Sequence, residues 1–422
     1  MSDKLSVSNE TNGAQPRPAD DGPWGIHPSP ATKAMHSPHR SPRISLISPL
    51  PAGQNGEPES GVGQYLVEIL ERLSDHFEVT VIAGVNTHYR RIGHATIVPV
   101  WTPDSRCVYQ ILRALRSLRP DLIHLQHEFN LYGGLVPTSL LTGTLAAGRA
   151  VGRPIVTTIH GIVDKSAITP GFLARNDLPI WPLAARASLA LAYRTMTAAS
   201  SKVIVHHEYF RSVLRDSYGV DGTKVAIIPF GCEDQSERPP TVTTRHRSGT
   251  TILVFGFLTG YKMPELVVQL AEERLLPDAA FQFCVGRNPR ATSAEYYKRY
   301  SDLADRVHAL GSCATWSGYV PDEKLAEVFS SSDVVVLPYT ECLSGSAVAS
   351  LAQAYGVSVC YSRSLRPLFG PSSAEFELNT RSLARAISAT QGRIPDQTTE
   401  RVTWAESANR NEQVWADAVS CS

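Results

Sequence analysis

The sequence predicts an α/β protein made of two parallel-sheet domains. Three observations lead there. Short apolar strands alternate with amphipathic helices in both halves, small-residue turns join strand to helix, and a proline-bearing stretch without apolar periodicity separates the halves. The clearest unit spans residues 334–359. Residues 334–337 (VVVL) read as a buried strand stopped by Pro338, and residues 339–345 form a polar turn. Ala347, Leu351 and Ala354 then share a helical face, and Gly356 releases the chain into a strand at 357–361. Such a unit sets a helix N-terminus at the carboxyl edge of a sheet. Ser344 is expected to cap that helix, leaving the amides of Gly345, Ser346 and Ala347 to face an anionic group.

The chain has 422 residues, 42% of them hydrophobic, which suffices for two full cores. Forty basic residues balance forty acidic ones, so the excess positive charge of a nucleic-acid binder is missing. Seven scattered cysteines form no CxxC pair, which predicts free thiols in a reducing compartment. No apolar run reaches the roughly 18 to 20 residues of a membrane span. Residues 1–42 are rich in Pro, Ser, His and Asp and hold no hydrophobic signal core. They are expected to be a disordered tail on a cytoplasmic protein.

Order is expected from Arg43, with a strand at 44–47 and a Pro- and Gly-rich loop at 49–60. Gly61 and Gly63 then open a helix whose stripe runs Val62, Tyr65, Leu66, Ile69, Leu70 and Leu73. The loop is too long for a GxGxxG and lacks the GK[ST] of a P-loop, so it reads as a small-residue turn that lets a ligand approach the backbone. Strands follow at 77–83 and 96–100. A helix at 106–118 has one apolar side and one bearing Arg106, Arg113 and Arg116, with Arg119 just beyond. A basic amphipathic helix can lie on anionic lipid, but the preferred reading is a sheet-covering helix with a solvated charged face; membrane association is possible and not predicted. Strands at 121–126 and 154–159 end in His127-Glu128 and His160-Gly161, which puts these side chains at the carboxyl edge, where open α/β sheets bind ligands. Strands at 203–205 and 225–228 complete this domain, assigned to residues 43–233.

Residues 234–249 are the expected linker. The pattern restarts over 250–395: strands at 251–256, 281–285, 315–319 and 334–337, with helices at 264–273, 294–310 and 323–330. Lys262 falls just before a helix at the same edge as Gly345. A lysine and a helix N-terminus facing one crevice would neutralise a diphosphate without a metal.

Six segments carry a family resemblance. They are residues 123–129 (IHLQHEF), 157–161 (TTIHG), 228–231 (IPFG), 256–262 (GFLTGYK), 316–323 (WSGYVPDE) and 344–346 (SGS). In this order they resemble the retaining glycosyltransferases of family 4, in a branch with a Gln-His-Glu segment. The resemblance covers the chain from about Arg43 onward. It implies the GT-B architecture, two facing Rossmann-like domains with a C-terminal helix, here residues 396–422, crossing back to the first domain.

It also implies roles. Gly61 and Gly63 would line the loop near the donor diphosphate, His160 would lie near the transferred sugar, and Lys262 would contact the diphosphate. Tyr319 and Val320 would sit by the base, and Ser344, Gly345 and Ser346 would surround the phosphates. Where the family has an arginine after the loop glycine, this chain has Phe257. The family's two glutamates align to Leu343 and Leu351, with Glu341 the candidate substitute, and Met263 replaces a glycine. The expected reaction transfers a hexosyl unit from a nucleoside-diphosphate sugar to a hydroxyl acceptor, with no cofactor. No DxD triplet occurs, so no divalent ion is expected. Glu128 is the carboxylate candidate if the reaction uses an enzymic base or nucleophile. The departures motivate an alternative, a catalytically inactive glycosyltransferase-like partner of a companion protein.

Overall fold

The structure is a computed structural model that describes residues 40–51, 61–147, 152–176, 178, 180–232, 249–289, 291, 293–390 and 402–420. Residues 41–422 form one compact unit. The expected linker lies outside the described residues except Gly249, as does the expected tail apart from its last three positions.

The first lobe has eight strands: β1 (Arg43–Ile47), β2 (Glu78–Gly84), β3 (Arg91–Ile92), β4 (Ala95–Trp101), β5 (Leu122–His127), β6 (Ile155–Ile159), β7 (Lys202–Val205) and β8 (Val225–Ile227). They run in the order β3-β4-β2-β1-β5-β6-β7-β8, parallel except for the β3–β4 hairpin. Ile47 of β1 stands opposite Ile82 and Leu125, which fixes the register at the centre. Side chains alternate across the sheet, so each face builds its own core. Ile44, Leu46, Val79, Val81, Val156 and Ile204 pack under α1 (Gly61–Leu70), whereas Ile82, Ile123, Leu125 and Ile155 pack under α2 (Cys107–Leu118) and α3 (Leu135–Ala147). Further along that second face lie α4 (Pro170–Arg175), α5 (Pro182–Ala199) and α6 (Glu208–Tyr218).

The second lobe is a six-stranded parallel sheet ordered β11-β10-β9-β12-β13-β14. Its strands are β9 (Thr251–Phe257), β10 (Ala280–Gly286), β11 (Ala314–Trp316), β12 (Val334–Leu337), β13 (Ser358–Ser362) and β14 (Glu375–Phe376). Helices α7 (Pro264–Glu272), α8 (Ala294–Ala309), α9 (Leu325–Ser330), α10 (Ala347–Ala354), α11 (Arg366–Phe369) and α12 (Thr380–Thr390) flank it.

The last helix, α13 (Trp404–Ser420), returns to the first lobe. Thr403 bridges to Cys232, the Ser407 hydroxyl donates to the Pro229 carbonyl (2.8 Å), and Trp415 is buried against β5 and α1 residues. Tyr65 on α1, a member of the expected stripe, packs edge-on against Trp404. The six described cysteines are free thiols, and among the described residues no helix is long and apolar enough to cross a membrane.

Two local expectations are corrected. The cap of α10 is Ser346, not Ser344: Ser346 takes an extended conformation and its hydroxyl accepts from the Ala349 amide (3.2 Å). The helix also buries Val348, Ala349 and Ala352 along with Ala354, while Ala347 is exposed and Leu351 half-buried. In an eight-residue helix of small residues, two neighbouring stripes are equally apolar, and only the packing selects one. Helices α3, α5, α6 and α12 had no counterpart in the sequence reading. In α3 the residues LVPTSLLTGTLAA are apolar all round, so no amphipathic period marks them.

Candidate active site between the two lobes

The strand period of two puts His124 and Gln126 of β5, Thr158 of β6 with His160 just after it, and His206 just after β7 on one face, side by side across adjacent strands. That face is the one α13 covers. The result is a polar chain in an otherwise apolar layer. The Trp415 indole Nε1 donates to His124 Nδ1 (3.0 Å), and His124 Nε2 lies 2.8 Å from Thr158 Oγ1 and 3.3 Å from the Gln126 amide. Gln126 lies 2.7 Å from His160 Nε2, His160 Nδ1 lies 3.1 Å from His206 Nε2, and His206 Nδ1 lies 2.8 Å from the Ile228 carbonyl.

Both ends fix the protons. An indole N–H only donates, so His124 Nδ1 accepts and its Nε2 carries the hydrogen. A carbonyl only accepts, so His206 carries its hydrogen on Nδ1 and accepts at Nε2. His160 therefore donates from Nδ1 and accepts at Nε2. With neutral rings, one amide orientation satisfies this arrangement: the Gln126 NH₂ points to His160 and its carbonyl to His124, the hydrogen bonds themselves telling the amide's nitrogen from its oxygen. His160 is thus held through both ring nitrogens, with Tyr65 edge-on at 5.1 Å.

Burial holds His124, His127 and His206 neutral. It pulls His124 down to about 3, and His127 and His206 down to about 4. His127, at the end of β5, is buried with Nδ1 unpartnered and its ring edge-on to Phe129. A histidine whose folded pKa lies below its unfolded value near 6.5 favours the unfolded chain once it can take up a proton there. Stability is accordingly full above about pH 6.5 and falls as pH drops toward 4. The expected loss at pH 5 is about 2 kcal/mol per buried histidine. Chemical denaturation from pH 8 to 5 checks this, and a flat profile refutes the buried neutral rings.

In the second lobe, β9 ends at Phe257 and the chain turns to Lys262 before α7. Arg299 braces this turn, donating to the Thr259 and Lys262 carbonyls (3.1 and 2.9 Å) while paired with Glu265. The turn is also fastened to the exit of β12. Met263 N donates to Pro338 O (2.9 Å), Thr340 N donates to Tyr261 O (2.8 Å), and Lys262 bridges to Tyr339. The two loops expected to share a phosphate are therefore bonded to each other.

The Lys262 ammonium lies 5.3 Å from the Tyr339 ring centroid and directly over Gly256. Gly256 has φ +107°, and a side chain there would come within 3.1 Å of Nζ, so glycine is what admits the ammonium. Burial pulls Lys262 down to about 8, with no carboxylate opposing the shift. Around it is a cavity of about 10 Å³ lined by Gly256, Phe257, Val336, Pro338 and Tyr339. That is room for a single water and not for a diphosphate.

The lobes are closed on each other. Ile162 N donates to Leu343 O (2.7 Å), Gln64 donates to Asp322 (2.8 Å), and Arg175 pairs with Glu341. Gly345 packs on Phe230 and His206 of the first lobe. Glu128 lies beside Gly161 and close enough to Tyr261 to act on its phenol. Burial first, and this carboxylate second, push Tyr261 up to about 12.

The expected site residues thus fall into groups. Glu128 lies beside Gly161, Gly345 packs on His206, and His160 bonds the same His206. Lys262 meets Tyr339, whose hydroxyl bonds Ser346, while Ser344 bonds Tyr261. Tyr319 stacks parallel to Phe257 at 6.1 Å, one residue removed from the lysine cavity, and Val320 is buried beside it. Glu341, read as a donor-binding carboxylate, is engaged by Arg175 and by the Thr340 hydroxyl. Gly63 fits tightly against Pro49 and Pro51, whereas Gly61 has no neighbour within 4 Å of a side-chain position. Tyr261, Tyr339, His206 and Arg175 were given no role by the sequence reading, and Gln126 entered it only as a member of the Gln-His-Glu segment. For Gln126 and His206 a signal existed: each has a polar side chain in step with His124 or His160 on an adjoining strand. Arg175 carried none, because its partner is 166 residues away.

The two facing parallel sheets with a returning C-terminal helix are the GT-B glycosyltransferase architecture. A glycosyltransferase from Rickettsia africae superposes with a TM-score of 0.63 at 14% identity, covering 91% of this chain and 100% of that one. The sucrose-phosphate synthase of Thermosynechococcus elongatus gives 0.60 at 17% identity over 90% of this chain and 96% of its own. HepE from Anabaena, solved with UDP-glucose, gives 0.60 at 15% identity over 90% and 100%. At these identities the likenesses establish the fold. Residues 60–236 match the family model for Glycosyltransferase Family 4, the family the sequence motifs resemble. No curated protein matches the sequence.

Proposed function

We propose that this protein is a retaining glycosyltransferase that moves a hexosyl unit from a nucleoside-diphosphate sugar to a hydroxyl acceptor without a metal ion. The observation that carries the reading is Lys262: an ammonium set in a glycine-floored recess, with no opposing carboxylate, bonded through its backbone to the loop that leads into α10. A leaving diphosphate supplies the missing negative charge, and one such contact is worth on the order of 2–4 kcal/mol in the transition state. UDP-glucose in the HepE structure supports a nucleotide-sugar donor. Because the recess is lined by second-lobe residues and holds only about one water, donor binding has to widen it.

His160, held at both ring nitrogens, acts in this reading by positioning the sugar. Glu128 is the carboxylate nearest this side of the lobe contact. Front-face attack by the acceptor, with the departing phosphate taking its proton, needs no further base. Among the described residues no cluster of three or more His, Cys, Asp or Glu side chains is placed to hold a metal.

The test has two stages. A melting-temperature screen against nucleoside diphosphates identifies the base, and the matching sugar donors are then incubated with the purified chain in EDTA. The expected results are stabilisation by at least one diphosphate and release of that diphosphate, with chelator present. Activity lost in EDTA and restored by magnesium refutes the metal-free route. A second reading, an inactive partner protein, draws on Glu341 being tied to Arg175 and on Leu351 in place of the family glutamate. Donor binding with no turnover in any acceptor extract selects it.

A further inference from the structure

Helices α2, α3 and α5 lie side by side over one face of the first sheet, and their outer surface is unusual. Not one of the three contains an acidic residue, in a protein whose charges balance overall. Helix α3 has no charged residue at all, yet Val136 and Leu140 on it are half or more exposed. On the neighbouring α5, Leu183 and Leu191 face solvent, and Trp181 at its N-cap is 83% exposed. A helix apolar all round belongs in a core or against lipid, and this one is covered on only one side. Flanking the apolar plate, α2 and its C-cap present Arg113, Arg116 and Arg119 to solvent.

We infer that this plate docks on the surface of an anionic lipid bilayer, with Trp181 and Leu183 entering the headgroup boundary and the α2 arginines meeting lipid phosphates. The charge pattern selects the occupant. Apolar side chains beside a row of cations, with no anions among them, match an interface of acyl chains and negative headgroups. A second copy meeting this face about a two-fold axis would bring together two surfaces that carry cations and no acidic partner for them, which is unfavourable. No described helix can span the bilayer, so attachment is peripheral and reversible. The inference stands on surface chemistry alone and does not require the transfer reaction.

Vesicle flotation of the full chain tests it, using phosphatidylcholine alone and phosphatidylcholine mixed with phosphatidylglycerol. The protein is expected to float with the mixed vesicles at low salt and to bind about tenfold more weakly to the neutral ones. Trp181→Ser with Leu183→Ser should abolish flotation on both. Arg113→Glu with Arg116→Glu should remove the preference for anionic lipid. All four side chains are exposed, so unchanged melting temperatures are expected and confirm folding. Wild-type protein that stays soluble with anionic vesicles overturns the inference, as does a Trp181/Leu183 variant that floats like wild type. A wild-type dimer that the same variant converts to monomer, without vesicle binding, assigns the plate to self-association and overturns it equally.

Discussion

Lys262→Met is expected to lower turnover of a nucleotide sugar by about 10²-fold or more while leaving the free protein as stable as wild type or more so. Both halves of this result follow from the same geometry. Burial holds the Lys262 ammonium at about 8 instead of 10.5, so below pH 8 the free fold carries an uncompensated charge that costs as much as roughly 3 kcal/mol. Methionine keeps the unbranched apolar stem, one atom shorter, and removes that cost. A donor diphosphate turns the same charge into binding energy, and methionine cannot. The pH dependence has a definite sign. Affinity for a nucleoside diphosphate is full below about pH 8 and declines by about tenfold per unit above it, as the free lysine loses its proton. In the methionine variant the decline disappears. Calorimetric titration from pH 7 to 10 measures it, and wild-type turnover in the variant removes Lys262 from the site.

Trp415→Ala is expected to cost about 3–5 kcal/mol, because it empties a fully buried indole site between α13 and the first sheet. Trp415→Phe separates packing from chemistry. It keeps most of the ring contact with Phe77 and removes the donor that fixes His124. His124 is then free to carry its proton on Nδ1 and to accept at Nε2, while the Ile228 carbonyl still orients His206 and, through it, His160. The expected readout is a change in the nitrogen chemical shifts of His124, with those of His206 and His160 unchanged. Histidine spectra identical to wild type would sink the ordered chain, whatever the variant does to stability.

Much of this was legible in the sequence because it depends on local periodicity. The α1 stripe from Val62 to Leu73 is buried as expected, and β12 is the four-residue buried strand that VVVL announced. His160 and Lys262 could be placed at sheet edges from strand ends alone. The α10 cap was misplaced by two residues because Ser344 and Ser346 have the same chemistry, and the backbone conformation decides between them. Helix α3 was missed because a uniformly apolar helix has no period to detect. The same feature marks it afterwards as a surface that lacks a partner.

The amino-acid order by itself determined the two α/β lobes, the strand ends that carry the histidines, and the turn that carries the lysine. Each of these is set by residues within a turn or two of one another. Only the tertiary structure decided which ring nitrogen carries the hydrogen in His124, His206 and His160, that Glu341 is tied to Arg175, and that the recess at Lys262 has room for about one water. The physical reason is distance along the chain. Trp415 meets His124 across 291 residues, and Arg175 meets Glu341 across 166, so no local pattern records either contact. Hydrogen-bond direction and ion pairing are fixed only when both partners are present in space.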